Sequence, residues 1–134
     1  MQAIGAVIAL PTWMRRALLT TAVMNVLGAG LFLPSAGALR ALAGVPAGEH
    51  AVYLLTIAMF VLLFGLGYLY CGITGRADPL FIAISAAGKL SFVAILVFSW
   101  LSGAVSLRAP LSAVGDLVFG LMFLTWLLGD ARRT

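Results

Sequence analysis

A chain of 134 residues with 63% hydrophobic and only 9% charged side chains has too little polar surface to stay in water as one domain, so most of its surroundings must be lipid. Its formal charge of +4 does not point to nucleic acid, because the basic residues are sparse and sit at the ends of apolar runs instead of clustering on one face. One cysteine, Cys71, and one histidine, His50, exclude an intrachain disulfide, a cysteine-based metal site and bis-histidine haem ligation within one protomer.

The chain opens on an apolar stretch, Met1 to Leu10, with no positive segment before it. Arg15-Arg16 follows it, the reverse of the order in a cleavable signal peptide. Residues 1–14 read as a short interfacial segment broken at Pro11, with Trp13 at headgroup level. A span needs about 20 apolar residues at 1.5 Å each, and the first runs from Ala17 to Leu33. Between Pro34 and His50 the pattern Leu39, Leu42, Ala43, Val45, with Arg40 opposite, predicts a short helix lying in the outer interface. The second span covers Ala51 to about Ile73. Asp78-Pro79 opens the third, Leu80 to about Val105, with proline in the first turn where its missing N–H costs nothing. The fourth extends from Leu111 to about Leu128, with Pro110 before it and Asp130 and Arg132-Arg133 after it. Short loops make the last three spans antiparallel neighbours. The expected fold is all-α: a single-domain integral membrane four-helix bundle, antiparallel throughout.

Alternation of direction places residues 1–16, the 74–79 loop and the C-terminus on one side, with Arg15, Arg16, Arg76, Arg132 and Arg133. Only Arg40 and Arg108 lie on the other. The positive-inside rule then makes both termini cytoplasmic.

Ionisable residues inside a span cost ~2.5–3.5 kcal/mol each and are functional candidates by default. Lys89 lies about 13 Å into span 3 and Asp116 about 9 Å into span 4 from the opposite side. Across ~30 Å of hydrocarbon the two are therefore offset by about 8 Å, so a direct ion pair needs Lys89 to extend outward or a water to intervene. Asn25 lies near the depth of Lys89, and Ser85 shares its helix face with Phe92 close by. Glu49 and His50 stand at the outer mouth, Arg76 and Asp78 in the cytoplasmic loop. Two readings fit: Asn25, Lys89 and Asp116 bridge helices, or with Ser85 they line an outward-open cavity, Asp116 in its wall and Lys89 at its floor.

Ala83, Ala87 and Ser91 form a small-residue stripe on span 3, away from Lys89 and expected to pack within the bundle. Gly28, Gly65, Gly67, Gly115 and Gly120 give further close approaches. Trp13, Tyr53, Tyr68, Tyr70, Trp100 and Trp126 lie towards span ends, as interfacial belts do. No nucleotide loop, zinc pattern or Ser-His-Asp order occurs, so no cofactor or metal is expected.

Several short motifs follow one another in the second half: Gly67-Tyr68, then Arg76-Ala77-Asp78-Pro79, Gly88-Lys89-Leu90 and Gly115-Asp116. This order resembles small, uncharacterised bacterial four-helix membrane proteins, loosely like DoxX-type bundles, in which Asn often precedes the fourth-span Asp where Gly115 stands here. The resemblance covers about half the chain. It implies a multi-pass protein of the bacterial inner membrane, and singles out Lys89, Asp78 and Asp116. The leading functional expectation is a non-catalytic protein, a small subunit or accessory that packs against other membrane chains or itself, with membrane lipid around it. The alternatives are a small-solute or proton-coupled transporter using Asp116 and Lys89, and an enzyme acting on a lipid or quinone-like substrate.

Overall fold

The computed structural model describes residues 6–46 and 50–133. Helix α1 covers Thr12–Leu31, starting five residues earlier than Ala17. Pro11 is extended at its N-cap, and its carbonyl accepts the amides of Met14 and Arg15. Arg15 and Arg16 thus fall in the first turns, where a cation opposes the helix dipole. Arg15 is compensated elsewhere, since its Nε and Nη2 donate to the carbonyls of Gly72 and Ile73, each at 3.2 Å. Those are open carbonyls at the end of α3 (Ala51–Thr74), groups that a helix C-terminus leaves unmet.

Helix α3 stops on Gly75, whose φ of 69° and amide bond to the Cys71 carbonyl close the helix with a left-handed residue. The chain then forms a two-residue antiparallel ladder, Ile8↔Ala77 and Ala9↔Arg76, extended by Leu10 donating to the Gly75 carbonyl at 2.8 Å. The segment before Pro11 is therefore tied to the 74–79 loop by backbone pairing. Asp78 caps α4 (Pro79–Leu101), its carboxylate accepting from the Leu80 amide at 2.8 Å. Helix α4 ends four residues short of Val105, where Ser102 and Gly103 turn the chain and the Ala104 amide closes on the Ser99 carbonyl at 2.8 Å. The expected fourth span is divided. Pro110 lies inside a short helix α5 (Arg108–Ser112), and the long helix α6 runs Val114–Leu128. Ala109 and Ala113, fully buried with Leu96, hold α5 on α4.

The short helix between the first two spans is present as α2 (Gly37–Leu42), and Pro34–Leu42 runs at 86° to α1. Its orientation reverses the expectation for Arg40. Leu39 and Leu42 face outward while Arg40 is 3% exposed, donating to the carbonyls of Leu31 at 3.1 Å and Leu33 at 2.6 Å. The carbonyls at the end of α1 need a donor, and Arg40 is the nearest cation. Arg40→Leu removes both bonds, each to a charged donor, and is expected to lower stability by about 2 kcal/mol, read as an earlier thermal unfolding midpoint in detergent.

Helix α1 lies along α3 and α4 along α6, with α1 against α6 joining the two pairs. At the end carrying Arg15 and the 74–79 loop, Met14, Leu18, Tyr68, Ile82, Phe123 and Trp126 form a fully buried core. The outer surface is apolar, with Leu27, Phe98 and Leu101 more than two-thirds exposed, whereas Thr21, Asn25, Arg40, Ser85 and Lys89 are buried. This inside-out distribution suits lipid as solvent. Among the described residues three helical segments, Ala51–Thr74, Pro79–Leu101 and Val114–Arg132, are long and apolar enough to cross a membrane, or four if α1 and its bent continuation count as one span.

The expected aromatic belt divides. Trp13, Tyr53, Tyr70 and Trp100 face outward, but Tyr68 and Trp126 are core residues, 2% and 0% exposed. The stripe Ala83, Ala87, Ser91 also departs from expectation: Ala87 and Ser91 are exposed on the outer face of α4, and Ala83 is half-buried. Close packing falls to glycines instead. A Cβ added to Gly65 would stand 3.0 Å from the Asn25 Cβ, and one on Gly120 would stand 2.9 Å from Leu90 Cδ2.

Candidate functional site

The α1–α3 crossing at Gly65 sets the first polar group. With no side chain between the backbones, Asn25 reaches α3 and its Nδ2 donates to the Val61 carbonyl at 3.0 Å. That bond fixes the amide so that Oδ1 faces the bundle interior, where it accepts from Lys89 Nζ at 3.2 Å.

The α4–α6 crossing at Gly120 sets the second. The bare glycine lets Lys89 lie level with it, an added Cβ standing 3.4 Å from that of Lys89. Asp116 is one turn nearer the start of α6, and Lys89 Nζ meets its Oδ1 at 2.8 Å. The pair is direct. The offset expected from depth is real, about 6 Å for four residues of helix, but the four-carbon stem of Lys89 extends along α6 and spans it. Asp116 stands in the first turn of α6, where the open amides favour a carboxylate. The ammonium also lies 5.4 Å from the centre of the Tyr68 ring, within cation–π range. Lys89 is buried at 5% side-chain exposure, while Asp116 keeps 23%.

Asp116 is more open because one cavity of about 340 Å³ adjoins it, and all four of Asn25, Ser85, Lys89 and Asp116 line it. The hydroxyl of Ser85 donates back to the Phe81 carbonyl at 2.7 Å. The remaining wall is largely apolar, including Ile57, Phe60, Val61 and Phe64 of α3 and Gly88 and Phe92 of α4. Helices α3 and α4 touch at the 74–79 end, where Phe81 packs on Phe64 and Tyr68 with ring centres 5.9 and 5.7 Å apart. Further along, the cavity separates them. Phe60 is 54% and Phe92 36% exposed, so the gap opens sideways between the helices. In the other direction the Met14–Trp126 core closes it.

Of the expected outer mouth, the structure places His50 alone. His50 is exposed and caps α3, its Nδ1 accepting from the Val52 amide at 3.3 Å, and it does not line the cavity. Phe32 and Val45 line it at that end instead. Glu49 lies outside the described residues. Arg76 and Asp78 are remote from Lys89, and belong to the ladder and the α4 cap.

Of the misplaced residues, Tyr68 is the one that lines the cavity. A usable signal existed, since Gly65, Tyr68 and Gly72 recur at helical spacing on the face α3 turns inward. Gly88 was seen only as part of a Gly-Lys motif; its Cβ direction meets nothing within 4 Å because it faces the cavity. Comparison with family models, with curated proteins and with solved structures finds no match.

Proposed function

We propose that this chain is a non-catalytic, four-span bundle of a bacterial plasma membrane, both termini cytoplasmic, which holds a small amphipathic molecule in the cavity beside Lys89 and Asp116. One observation carries the reading: a charged pair, completed by Asn25, borders a cavity whose other walls are aromatic and aliphatic. A few converging polar groups in an apolar pocket of at least ~300 Å³ are the usual form of a small-molecule site. The alternative role of bridging helices does not require the cavity, because the glycine contacts already join α1 to α3 and α4 to α6. Holding is favoured over transport by the closed Met14–Trp126 core, which leaves the cavity open on one side. The five-to-two bias of arginines supports the orientation, and the resemblance read from the sequence motifs singles out the same Lys89 and Asp116.

Gly88 gives the test. Leucine there points into the cavity, meets no atom within 4 Å at its Cβ, and replaces a poor helix former with a good one. Wild type extracted in mild detergent is expected to retain a small organic molecule, detected by mass spectrometry of a solvent extract. Gly88→Leu is expected to fold normally and lack it. Identical extracts from the two proteins contradict the reading.

The exposed Ala87 and Ser91 on α4 favour a second reading, a subunit that packs against another membrane chain or a second copy. The particle mass in mild detergent decides this, and a strictly monomeric, partner-free particle contradicts it.

A further inference from the structure

The charges of the site limit what it accepts. Lys89 and Asp116 neutralise each other at 2.8 Å, so the cavity floor carries one positive and one negative group and no net charge. In a water-poor, low-dielectric space a third, unmatched ion loses its hydration without gaining a counter-ion. An uncharged polar group loses far less, provided it finds hydrogen bonds there.

Those bonds are on offer in a particular combination. The ammonium has three N–H groups, of which Asn25 Oδ1 and Asp116 Oδ1 occupy two. One N–H remains without an oxygen partner among the described residues. Asp116 Oδ2 beside it accepts no hydrogen bond from the described residues. A donor and an acceptor side by side match a group that both accepts and donates, which is what a hydroxyl does. Above this floor Phe60, Phe64 and Phe92 present rings, and flat apolar bodies stack on rings. The gap between α3 and α4 leads from there into the lipid phase.

We infer that the molecule held here is uncharged, with a hydroxyl head seated between Lys89 and Asp116 and a flat apolar body against the α3–α4 aromatic wall, reached laterally from the bilayer. The inference rests on the binding function proposed above and names its ligand class. Three naphthalenes of near-equal size test it: 1-naphthol, 1-naphthoate and 1-naphthylmethylammonium, titrated calorimetrically into detergent-solubilised protein at neutral pH. Gly88→Leu serves as the blank for partition into micelles. Wild type is expected to bind 1-naphthol saturably and at least tenfold more tightly than either ion. Asp116→Asn leaves Lys89 unmatched, and its preference is expected to turn to naphthoate by tenfold or more. Lys89→Gln is expected to turn it to the ammonium. The double variant Lys89→Gln/Asp116→Asn carries no unpaired charge and is expected to prefer naphthol again, which separates selectivity from any folding defect of the single variants. Wild type binding an ion as tightly as naphthol overturns the uncharged head and leaves the binding function standing. No saturable binding of any of the three above the blank contradicts both.

Discussion

Asp116→Leu is expected to lower stability by about 3–4 kcal/mol and Lys89→Met by about 3 kcal/mol, while the double variant recovers most of the loss. A buried ion pair broken on one side leaves a charge that neither water nor a counter-ion solvates, and such single losses run at about 3–5 kcal/mol. Removing both charges leaves no such ion. The order of the two singles follows from burial. Asp116→Leu strands the deeper charge, since Lys89 is 5% exposed and then keeps, among the described residues, only Asn25 Oδ1 and the Tyr68 ring as partners. Lys89→Met strands Asp116, which at 23% exposure retains contact with the cavity and stands among the open amides of the α6 N-terminus. Reversible unfolding in mixed micelles, followed by circular dichroism, gives the four stabilities of the cycle. A coupling of 2 kcal/mol or more agrees with the direct pair. Additive losses, as for groups more than about 7 Å apart, do not.

Gly44→Ala is expected to cost about 3 kcal/mol for the addition of one methyl group. Gly44 ends α2 with φ at 73°, and its amide and that of Val45 close on the carbonyls of Ala41 and Arg40. An L-residue there carries about 1–2 kcal/mol of backbone strain. The added Cβ would also stand 2.7 Å from the Arg108 Cβ and 2.9 Å from the Ala109 amide nitrogen. Neither atom is the end of a flexible chain, so α5 must shift, at a further cost typical of overpacking, about 1–3 kcal/mol. Gly88→Ala is the matched control: also one methyl, but in a helix interior with nothing within 4 Å, and expected to stabilise by up to about 1 kcal/mol. Thermal unfolding of the two variants side by side checks both signs. Beyond stability, Gly44 seats α2 against α5, and the next residue, Val45, lines the cavity. Gly44→Ala is therefore expected to loosen ligand binding too.

The apolar helical segments were legible because a run of about 20 apolar residues has few alternatives as structure. Their ends were less so. Arg15-Arg16 marked a boundary by charge, yet the helix continues through both, because Arg15 finds its partners on the carbonyls of Gly72 and Ile73, distant in sequence. Pro110 looked like a helix opener and does sit in a first turn, but of α5, a separate short helix. Arg40 was assigned to the polar side of an interfacial helix on pattern alone. The need of α1 for a C-terminal donor outweighed that pattern.

Asn25, Ser85, Lys89 and Asp116 stood out because polar groups are costly in hydrocarbon, and the structure brings all four to one cavity. Whether Lys89 reached Asp116 was beyond the sequence. It turned on which way one flexible stem extends, and on the bare Gly120 beside it. The aromatic wall was hidden for a different reason: Phe60, Phe64 and Phe92 are ordinary residues of an apolar span until the separation of α3 and α4 gives them a cavity to face.

Lys89 is the only lysine in the chain, so selective 15N labelling of lysine yields one side-chain Nζ resonance, and it reports directly on the site. In lipid nanodiscs that ammonium is expected to exchange its protons slowly with water, and to shift on addition of saturating 1-naphthol in wild type but not in Gly88→Leu. A Nζ signal that exchanges as fast as free lysine and ignores the ligand would contradict a paired Lys89 at the floor of a lipid-accessible cavity.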